Sequence, residues 1–149
     1  MFKVKTLEEC LYTPIKVTFV NKFGAFQDLI FFKKSIDKTS VKGEEFKTSV
    51  FNQSTLTYKT YQHQRTQFMV QGTDSITMNT GYISEDYNQV IEQLMLSEQV
   101  WATFITDTEE VRPLVPKTKS FTHKTQLNDK LIDYTIEFDI ANNKINNIR

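Results

Sequence analysis

The sequence predicts a mainly β protein: an antiparallel β-sandwich or barrel of seven or eight strands, with one α-helix at about residues 84–96 between strands. The twelve Phe and six Tyr, with abundant Thr, are residue types that fit a pleated, half-buried surface. Many short alternating segments are separated by turn signals, and only one segment has helical periodicity. At 149 residues the chain suits a single β-rich domain, residues 1–149, whose polar ends at 1–11 and 142–149 can extend to a neighbour.

A β-hairpin is predicted for residues 14–33. Apolar residues alternate with polar ones over 15–19, which indicates a strand with one buried face. Residues 21–24, Asn-Lys-Phe-Gly, have the composition of a turn in which Gly24 takes positive φ. The continuous apolar run at 29–32 predicts that the second strand is central and covered on both faces.

The middle of the chain has weaker strand patterns. Residues 36–47 are polar and alternate weakly, which is typical of a strand with an exposed face. Residues 56–70 are strand-like but poorly periodic. Turn signals at 72–74 (Gly-Thr-Asp) and 79–81 (Asn-Thr-Gly) enclose a short predicted strand at 76–78.

The helix prediction at residues 84–96 depends on its start and on one apolar face. Ser84 can act as N-cap, and Glu85 and Asp86 lie in the first turn, where negative charge favours the helix dipole. The apolar residues recur at i, i+3, i+4, i+7 and i+8, which is one face of a helix that packs on a core. These residues are Tyr87, Val90, Ile91, Leu94 and Met95.

The C-terminal third is predicted to be extended. Residues 100–105 have strand character, whereas Pro113 and Pro116 argue against a well-paired central strand over the first half of 111–124. The strand at 132–140 has the cleanest alternation in the chain, with apolar residues at the even positions.

Acidic residues line the outer face of that last strand. A hairpin around a turn at Asn128-Asp129 would bring it beside the preceding segment. Lys119 would then lie opposite Glu137, and Lys117 opposite Asp139. Such cross-strand pairs are sufficient to explain the acidic stripe without a binding role.

No residue pattern indicates catalysis or a cofactor. His63 and His123 are distant in sequence and have no ligand-type residue at metal-binding spacing. Cys10 is the single cysteine and cannot form an internal disulfide. Carboxylates converging in a pocket would be needed for an enzyme, and the sequence does not indicate them. We therefore predict a non-enzyme without cofactor or metal.

Charge and hydropathy narrow the partner classes. The 18 basic and 18 acidic residues cancel, which argues against a sequence-specific nucleic-acid binder. No apolar run approaches the roughly 20 residues of a membrane-spanning helix, and the N-terminus lacks a secretory signal. We expect no membrane partner and synthesis in a cytoplasm.

The charges are nevertheless segregated along the chain. Residues 66–111 contain eight acidic residues and no Lys or Arg, which leaves 18 basic and 10 acidic residues elsewhere. If the two groups face opposite surfaces, copies can associate head-to-tail through complementary fields; the alternative is that folding intermixes them. The candidate assembly contacts are Glu85, Asp86, Asp107, Glu109, Glu110, Lys33, Lys34 and Lys38.

Four motifs carry a resemblance to a known group. They are the NKFG hairpin (21–24), the NTG turn (79–81), the LMLSE helix end followed by VW (94–101), and the closing NDKLIDYTIEFDIA segment (128–141). In this order they resemble the β-rich C-terminal domain of structural proteins of tailed phages infecting Bacteroidota, including crAss-like phages. The resemblance implies a virion structural protein of the tail or neck, made in the host cytoplasm, that assembles with itself and other virion proteins. It implies no catalytic or ligand-binding residue.

A second function class is a host-surface or carbohydrate-binding module. Exposed aromatic rings can stack on sugar rings, and Tyr58, Tyr61, Tyr82 and Trp101 are the candidates. Packing in the core or at its rim is the alternative for each of them.

Overall fold

The computed structural model describes residues 11–105, 109–120, 122, 124 and 132–145. Over these ranges it has ten strands, with a 3-10 turn and a short α-helix between the sixth and seventh. The elements are β1 Ile15–Val20, β2 Phe26–Phe31, β3 Ile36–Lys47, β4 Phe51–Asn52, β5 Thr57–Tyr58, β6 Arg65–Asn79, the 3-10 turn Glu85–Tyr87, α1 Asn88–Leu96, β7 Val100–Phe104, β8 Glu110–Pro116, β9 Thr135–Ile140 and β10 Lys144–Ile145.

Eight strands form one antiparallel sheet, and β4 and β5 form a separate two-stranded sheet. From β6 the order is β6-β9-β8-β7-β1-β2. β10 continues β9 along the same side of β6, and β3 pairs along the other side. The sheet is therefore open, with β3 at one edge and β2 at the other, and is sandwich-like rather than a closed barrel. The predicted mainly β fold with a helix between strands is confirmed.

The sheet curls around a single apolar core. The rings of Phe31 in β2 and Phe138 in β9 meet edge-to-face, with centroids 6.0 Å apart. These strands lie four positions apart in the sheet, or roughly 19 Å if it were flat. Ile91 and Leu94 of α1 are fully buried in the same core. The helix therefore closes the concave side of the sheet.

The N-terminal hairpin forms as predicted, but its strands exchange roles. Gly24 has φ +77°, and the Asn21 side-chain oxygen accepts hydrogen bonds from the backbone N–H groups of Phe23 and Ala25, at 3.0 and 3.1 Å. β1 is interior, between β7 and β2, whereas β2 is an edge strand. The prediction of a central strand at 29–32 is wrong, because the outer face of β2 stays exposed, with Phe26 72% accessible.

β6 runs without interruption through the predicted turn at 72–74. The polar side chains there pair across strands: Thr39 donates to the Asp74 carboxylate at 2.7 Å, and Asp74 also pairs with Lys144. Gly72 is buried, and a Cβ at this position would lie 3.4 Å from the Cβ of Lys144. That distance is an ordinary van der Waals contact, so the pairing with β10 does not require glycine at this position.

β8 also differs from its prediction, since it lies between β7 and β9 in the sheet. It pairs with β9 over only three residues, from Leu114 to Pro116. Pro116 ends this run, and Pro113 lies one residue outside it, with its carbonyl accepting from the Ala141 N–H at 3.0 Å. β8 can lie inside the sheet despite both prolines because its pairing with β9 extends over only three residue pairs.

The helical segment begins with the 3-10 turn and continues as α1. The predicted side-chain cap does not form: Ser84 caps only through its backbone carbonyl, which accepts from the Tyr87 N–H at 3.1 Å. The buried Asn88 instead fixes α1 to the last strand region, since its side-chain oxygen accepts from the Tyr134 hydroxyl at 2.6 Å. The predicted apolar face is confirmed, with Ile91 and Leu94 buried and Tyr87, Val90 and Met95 packed around them.

The C-terminal region keeps its alternation but changes its register. Lys117 bonds to Glu137 at 2.7 Å and lies 3.7 Å from Asp139. Glu137 is therefore opposite Lys117, and the predicted Lys119–Glu137 alignment is wrong by two residues.

Part of the predicted polar C-terminal end belongs to the sheet. Residues 144–145 form β10 and pair with Gly72 and Gln71 of the same chain. The predicted Asn128-Asp129 turn, Cys10, His123, and the ends 1–10 and 146–149 lie outside the described residues.

Candidate interaction surface

Residues 36–71, which we call the arm, comprise β3, β4, β5 and the outer half of β6, and beyond the Val41–Gly72 pair they extend away from the core. Every residue from 34 to 49 and from 51 to 69 is exposed, and burial in β6 begins only at Val70. We call the rest of the described chain, with its core, the body. The last β3–β6 residue pair next to the body is Val41 and Gly72, and Gly72 is also paired with β10. From there the β3–β6 ribbon continues to Lys47 and Arg65, a distance of roughly 20 Å at about 3.3 Å per residue.

Local pairing holds the ribbon together. β3 and β6 are in antiparallel register over eleven pairs, with one irregularity between Lys42 and Glu44. Met69 takes φ +51° there, and a Cβ on Gly43 would lie 3.1 Å from Val70. Phe46 and Phe68 contact each other beyond it, with ring centroids 5.8 Å apart. The bulge therefore twists the ribbon and sets this aromatic pair on one face.

The end of the arm is a small hairpin, which we call the tip (residues 47–65). A backbone hydrogen bond of 2.9 Å from Thr48 to Gln64 closes its neck. β4 and β5 pair within it, and Asn52 accepts from the Ser54 N–H at 2.9 Å in the turn between them. The tip has its own hydrogen bonds but no buried side chain.

Apolar exposure is concentrated on the arm. In the described ranges, nineteen large hydrophobic residues are exposed, and nine belong to the arm. An isolated two-stranded ribbon is at best marginally stable in water, and clustered exposed apolar side chains mark interaction surfaces. The arm is therefore the best candidate for a contact with another molecule. The nine are Ile36, Val41, Phe46, Phe51, Leu56, Tyr58, Tyr61, Phe68 and Met69.

The tip and the helical segment carry opposite charge. The tip contains Lys47, Lys59 and Arg65 and no acidic residue. Residues 84–98, which we call the acidic helix segment, contain four acidic residues and no Lys or Arg. All seven charged side chains are exposed. The four acids are Glu85, Asp86, Glu92 and Glu98.

The predicted assembly contacts fall at separate places. Glu85 and Asp86 are exposed in the 3-10 turn. Lys34 and Lys38 are exposed near the base of the arm, and Lys33 is half-buried with its ammonium 5.5 Å from the Phe32 ring centroid. Glu109 is exposed, Glu110 begins β8, and Asp107 lies outside the described residues.

Two acidic residues of the segment 66–111 are paired with cations. Arg112 bonds to Glu110 through two nitrogens, at 2.7 and 2.9 Å, and this lowers the pKa of Glu110 and raises that of Arg112. The hydrogen bonds from Lys144 and Thr39 lower the pKa of Asp74. Folding thus intermixes part of the two charge groups, at Asp74 and Glu110.

The aromatic candidates for sugar binding have different surroundings. Tyr58, Tyr61 and Tyr82 are exposed, whereas Trp101 is half-buried, with its ring centroid 6.0 Å from that of Phe26. A cleft of about 530 Å³ at the tip has Tyr58 in its lining. The other lining residues are Ser49, Val50, Phe51, Asn52, Thr55, Thr57, Lys59 and Gln62.

Sequence reasoning missed the arm as a unit. It predicted the strand at 36–47 but placed a turn within β6, so the two long partners were not matched. Little in the sequence indicated the arm, because residues 48–64 contain no Gly or Pro to mark the end of a hairpin.

Within the described part of the chain, no group of three or more His, Cys, Asp or Glu could hold a metal ion. The helices in these ranges are also too short or too polar to cross a membrane.

No protein-family model, no curated protein and no solved structure matches the chain, and the resemblance to phage structural proteins stays a prediction.

Proposed function

We propose that the protein is a structural subunit that assembles with copies of itself through the arm. The observation that carries the proposal is the exposed β3–β6 ribbon. Its aromatic side chains do not pack in the core and are exposed to water. Burying a large apolar side chain is worth about 1.5–3 kcal/mol, so contact with a neighbour stabilises a ribbon that has no core of its own.

The resemblance to tailed-phage structural proteins supports a place in a virion. A tail or neck component would contact other virion proteins as well as its own copies. The body suits this role, because its core is closed by α1 and leaves the arm as a separate contact element. Such a subunit works by protein–protein contact and needs no cofactor.

The test removes the arm and keeps the body. Lys42 and Gln71 are directly paired, so deletion of residues 43–70 with an Asn-Gly connection closes a short hairpin. Sedimentation equilibrium should show concentration-dependent oligomers for the intact chain and a monomer for the variant. The melting temperature should change by no more than about 4 °C, the shift that about 1 kcal/mol produces. An intact chain that is monomeric at every concentration would contradict the proposal.

The place in a particle needs its own measurement. Mass spectrometry of purified virions should detect the chain at many copies per particle, and imaging should place it in the tail or neck. Absence from particles would overturn the virion assignment while leaving self-assembly to be judged by sedimentation.

One observation favours a second function, carbohydrate or host-surface binding. The tip cleft combines the Tyr58 ring with polar groups of Asn52 and Gln62, a combination that suits a sugar ring and its hydroxyls. A glycan array probed with the intact chain and with Tyr58→Ala tests it. Binding that the substitution removes would support this function, and an array without hits would count against it.

A further inference from the structure

We infer that the arm contact is heterologous: the tip of one copy seats in a cleft at the C-terminal end of α1 in the next copy. This contact rests on the proposed self-assembly and adds both partner surfaces to it. The Lys59 and Tyr61 side chains of the tip are assigned to the cleft formed around Leu96 and Glu98.

The receiving cleft lies between the β1–β2 turn and the end of α1. Its volume is about 450 Å³, within the range of protein pockets that enclose a compact ligand. Leu96 is 75% exposed at its edge, and the backbone N–H of Lys22 reaches the Gln93 side-chain oxygen at 3.4 Å across it. The lining residues are Val20, Asn21, Lys22, Gln93, Leu96, Ser97, Glu98 and Gln99, none from the arm.

The tip offers a matching group. Tyr61 is 73% exposed, and the Lys59 ammonium lies 5.7 Å from its ring centroid. An aromatic ring beside a cation thus faces outward from the tip. The cleft presents an apolar side chain, Leu96, two residues before a carboxylate, Glu98. The ring can cover Leu96 while the cation approaches Glu98.

Charge complementarity selects a second copy as the occupant. The tip has three positive charges and no negative one, whereas the acidic helix segment has four negative charges and no positive one. Within the cleft lining, Lys22 and Glu98 balance each other, so the negative excess at this end of α1 comes from Glu92, one helical turn before Leu96. Opposite charge favours the correct encounter and disfavours tip-to-tip contact.

The two surfaces differ, and this determines the type of assembly. A contact between unlike surfaces is head-to-tail, so it generates a ring if the rotation closes and a filament if it does not. Each copy then uses its tip once and its cleft once.

A charge exchange tests the pairing. Lys59→Glu and Glu98→Lys should each weaken association about tenfold or more, and the two substitutions in one chain should restore it to within about threefold. Lys119→Glu is the control, because Lys119 is exposed and lies outside both the arm and the cleft. The pairing is overturned if both single variants associate like the intact chain, or if the combined variant stays as weak as either one.

A disulfide test reports geometry directly. In a Cys10→Ser background, a chain with Tyr61→Cys is mixed with a chain with Leu96→Cys and oxidised. Cross-linked heterodimer should form, whereas Tyr82→Cys in place of Leu96→Cys should give little, although Tyr82 is 63% exposed. Equal yields from both mixtures, or no product from either, would contradict the assignment.

The outcomes separate the two proposals. If arm deletion abolishes association while the charge variants and the cross-link show no effect, the arm is needed for assembly but contacts another surface. If the intact chain never associates, both proposals are wrong.

Discussion

Gly81 lies where the chain leaves β6, and two constraints hold this position as glycine. Its φ is +67°, a left-handed backbone conformation that residues other than glycine rarely adopt. A Cβ would also lie 2.5 Å from the Cζ of Phe32. Gly24 has a similar φ of +77° but nothing within 4 Å of a Cβ. A side chain at Gly24 would therefore meet backbone strain alone, whereas a side chain at Gly81 would meet the same strain and a steric clash with Phe32.

Substitution of each glycine by alanine should give different costs. Gly24→Ala is expected to destabilise the fold by about 1–2 kcal/mol, the strain of a left-handed residue. Gly81→Ala should cost roughly 1–3 kcal/mol more, because Phe32 must move to admit the methyl group. Urea unfolding of both variants measures the difference, and equal costs would show that the Phe32 contact relaxes freely.

The Tyr134 hydroxyl joins three segments through hydrogen bonds. It donates to the Asn88 side-chain oxygen at 2.6 Å and accepts from the Lys124 N–H at 2.9 Å. Tyr134→Phe is expected to cost about 1–3 kcal/mol, because the buried Asn88 loses its donor. Tyr82→Phe, an exposed control, should change the free energy of unfolding by less than about 0.5 kcal/mol. Similar small effects in both would show that water replaces the hydroxyl.

At the scale of elements, an ion pair adds to the backbone pairing between β10 and β6. Asp74 pairs with Lys144 of β10 and accepts from Thr39 of β3. These hydrogen bonds lower the pKa of Asp74, so the folded state favours the carboxylate more than the unfolded state does. This contribution to stability is present above the unfolded pKa and is lost as the pH falls through the folded value.

The attachment should therefore weaken in acid. Below about pH 4, the usual range of an aspartate, stability should fall, and the fall should be smaller in Asp74→Asn. Glu109→Gln, which changes an exposed carboxylate, is the control. Unfolding midpoints measured from pH 7 to 2 test this, and identical curves for intact chain and Asp74→Asn would contradict it.

Elements with one buried face were predictable, whereas those without one were predicted only in part: β3 was expected at its observed bounds although it is exposed throughout, but β6 was not expected as one strand. The apolar alternation of β1 and of β9 reflects burial on one side, so its period is visible in the sequence. The outer half of β6, up to Met69, is exposed on both faces, so no burial imposes a period there. The Gly-Thr-Asp sequence that follows consists of residue types that are common in turns. Pro113 and Pro116 excluded a central strand by a rule that applies to long ladders, whereas β8 and β9 share three pairs.

At the scale of the whole molecule, the body and the arm differ in what supports them. The body has the core around Phe19, Phe31 and Phe138, whereas the arm depends on hydrogen bonds exposed to water. Local opening is expected where few apolar contacts are buried.

Hydrogen exchange should show this difference. Amides of residues 44–47 should exchange orders of magnitude faster than amides of 16–19 in dilute protein. At concentrations where copies associate, the arm amides should become protected while those of β1 stay unchanged. An arm as protected as β1 in the monomer would show that the ribbon is stable by itself.

The residues of the candidate interaction surface could be predicted only in part, and their role in contacts stays a prediction. The acidic residues Glu85 and Asp86 and the aromatic residues Tyr58 and Tyr61 were identified as surface candidates from composition and position. The arm itself requires the pairing of β3 with β6, which joins residues far apart in sequence, so local patterns do not show it. The cleft beside Leu96 brings together the β1–β2 turn and the end of α1, and this proximity follows only from the curled sheet.

The Lys42–Gln71 pair has a consequence for inheritance. The chain leaves the body at Lys42 and returns at its direct partner, Gln71. The segment between these two residues can therefore be replaced as one unit. If the arm makes the proposed contact, changes between these two residues alter one side of the contact without altering the core. The other side, the cleft beside Leu96, belongs to the body and changes separately.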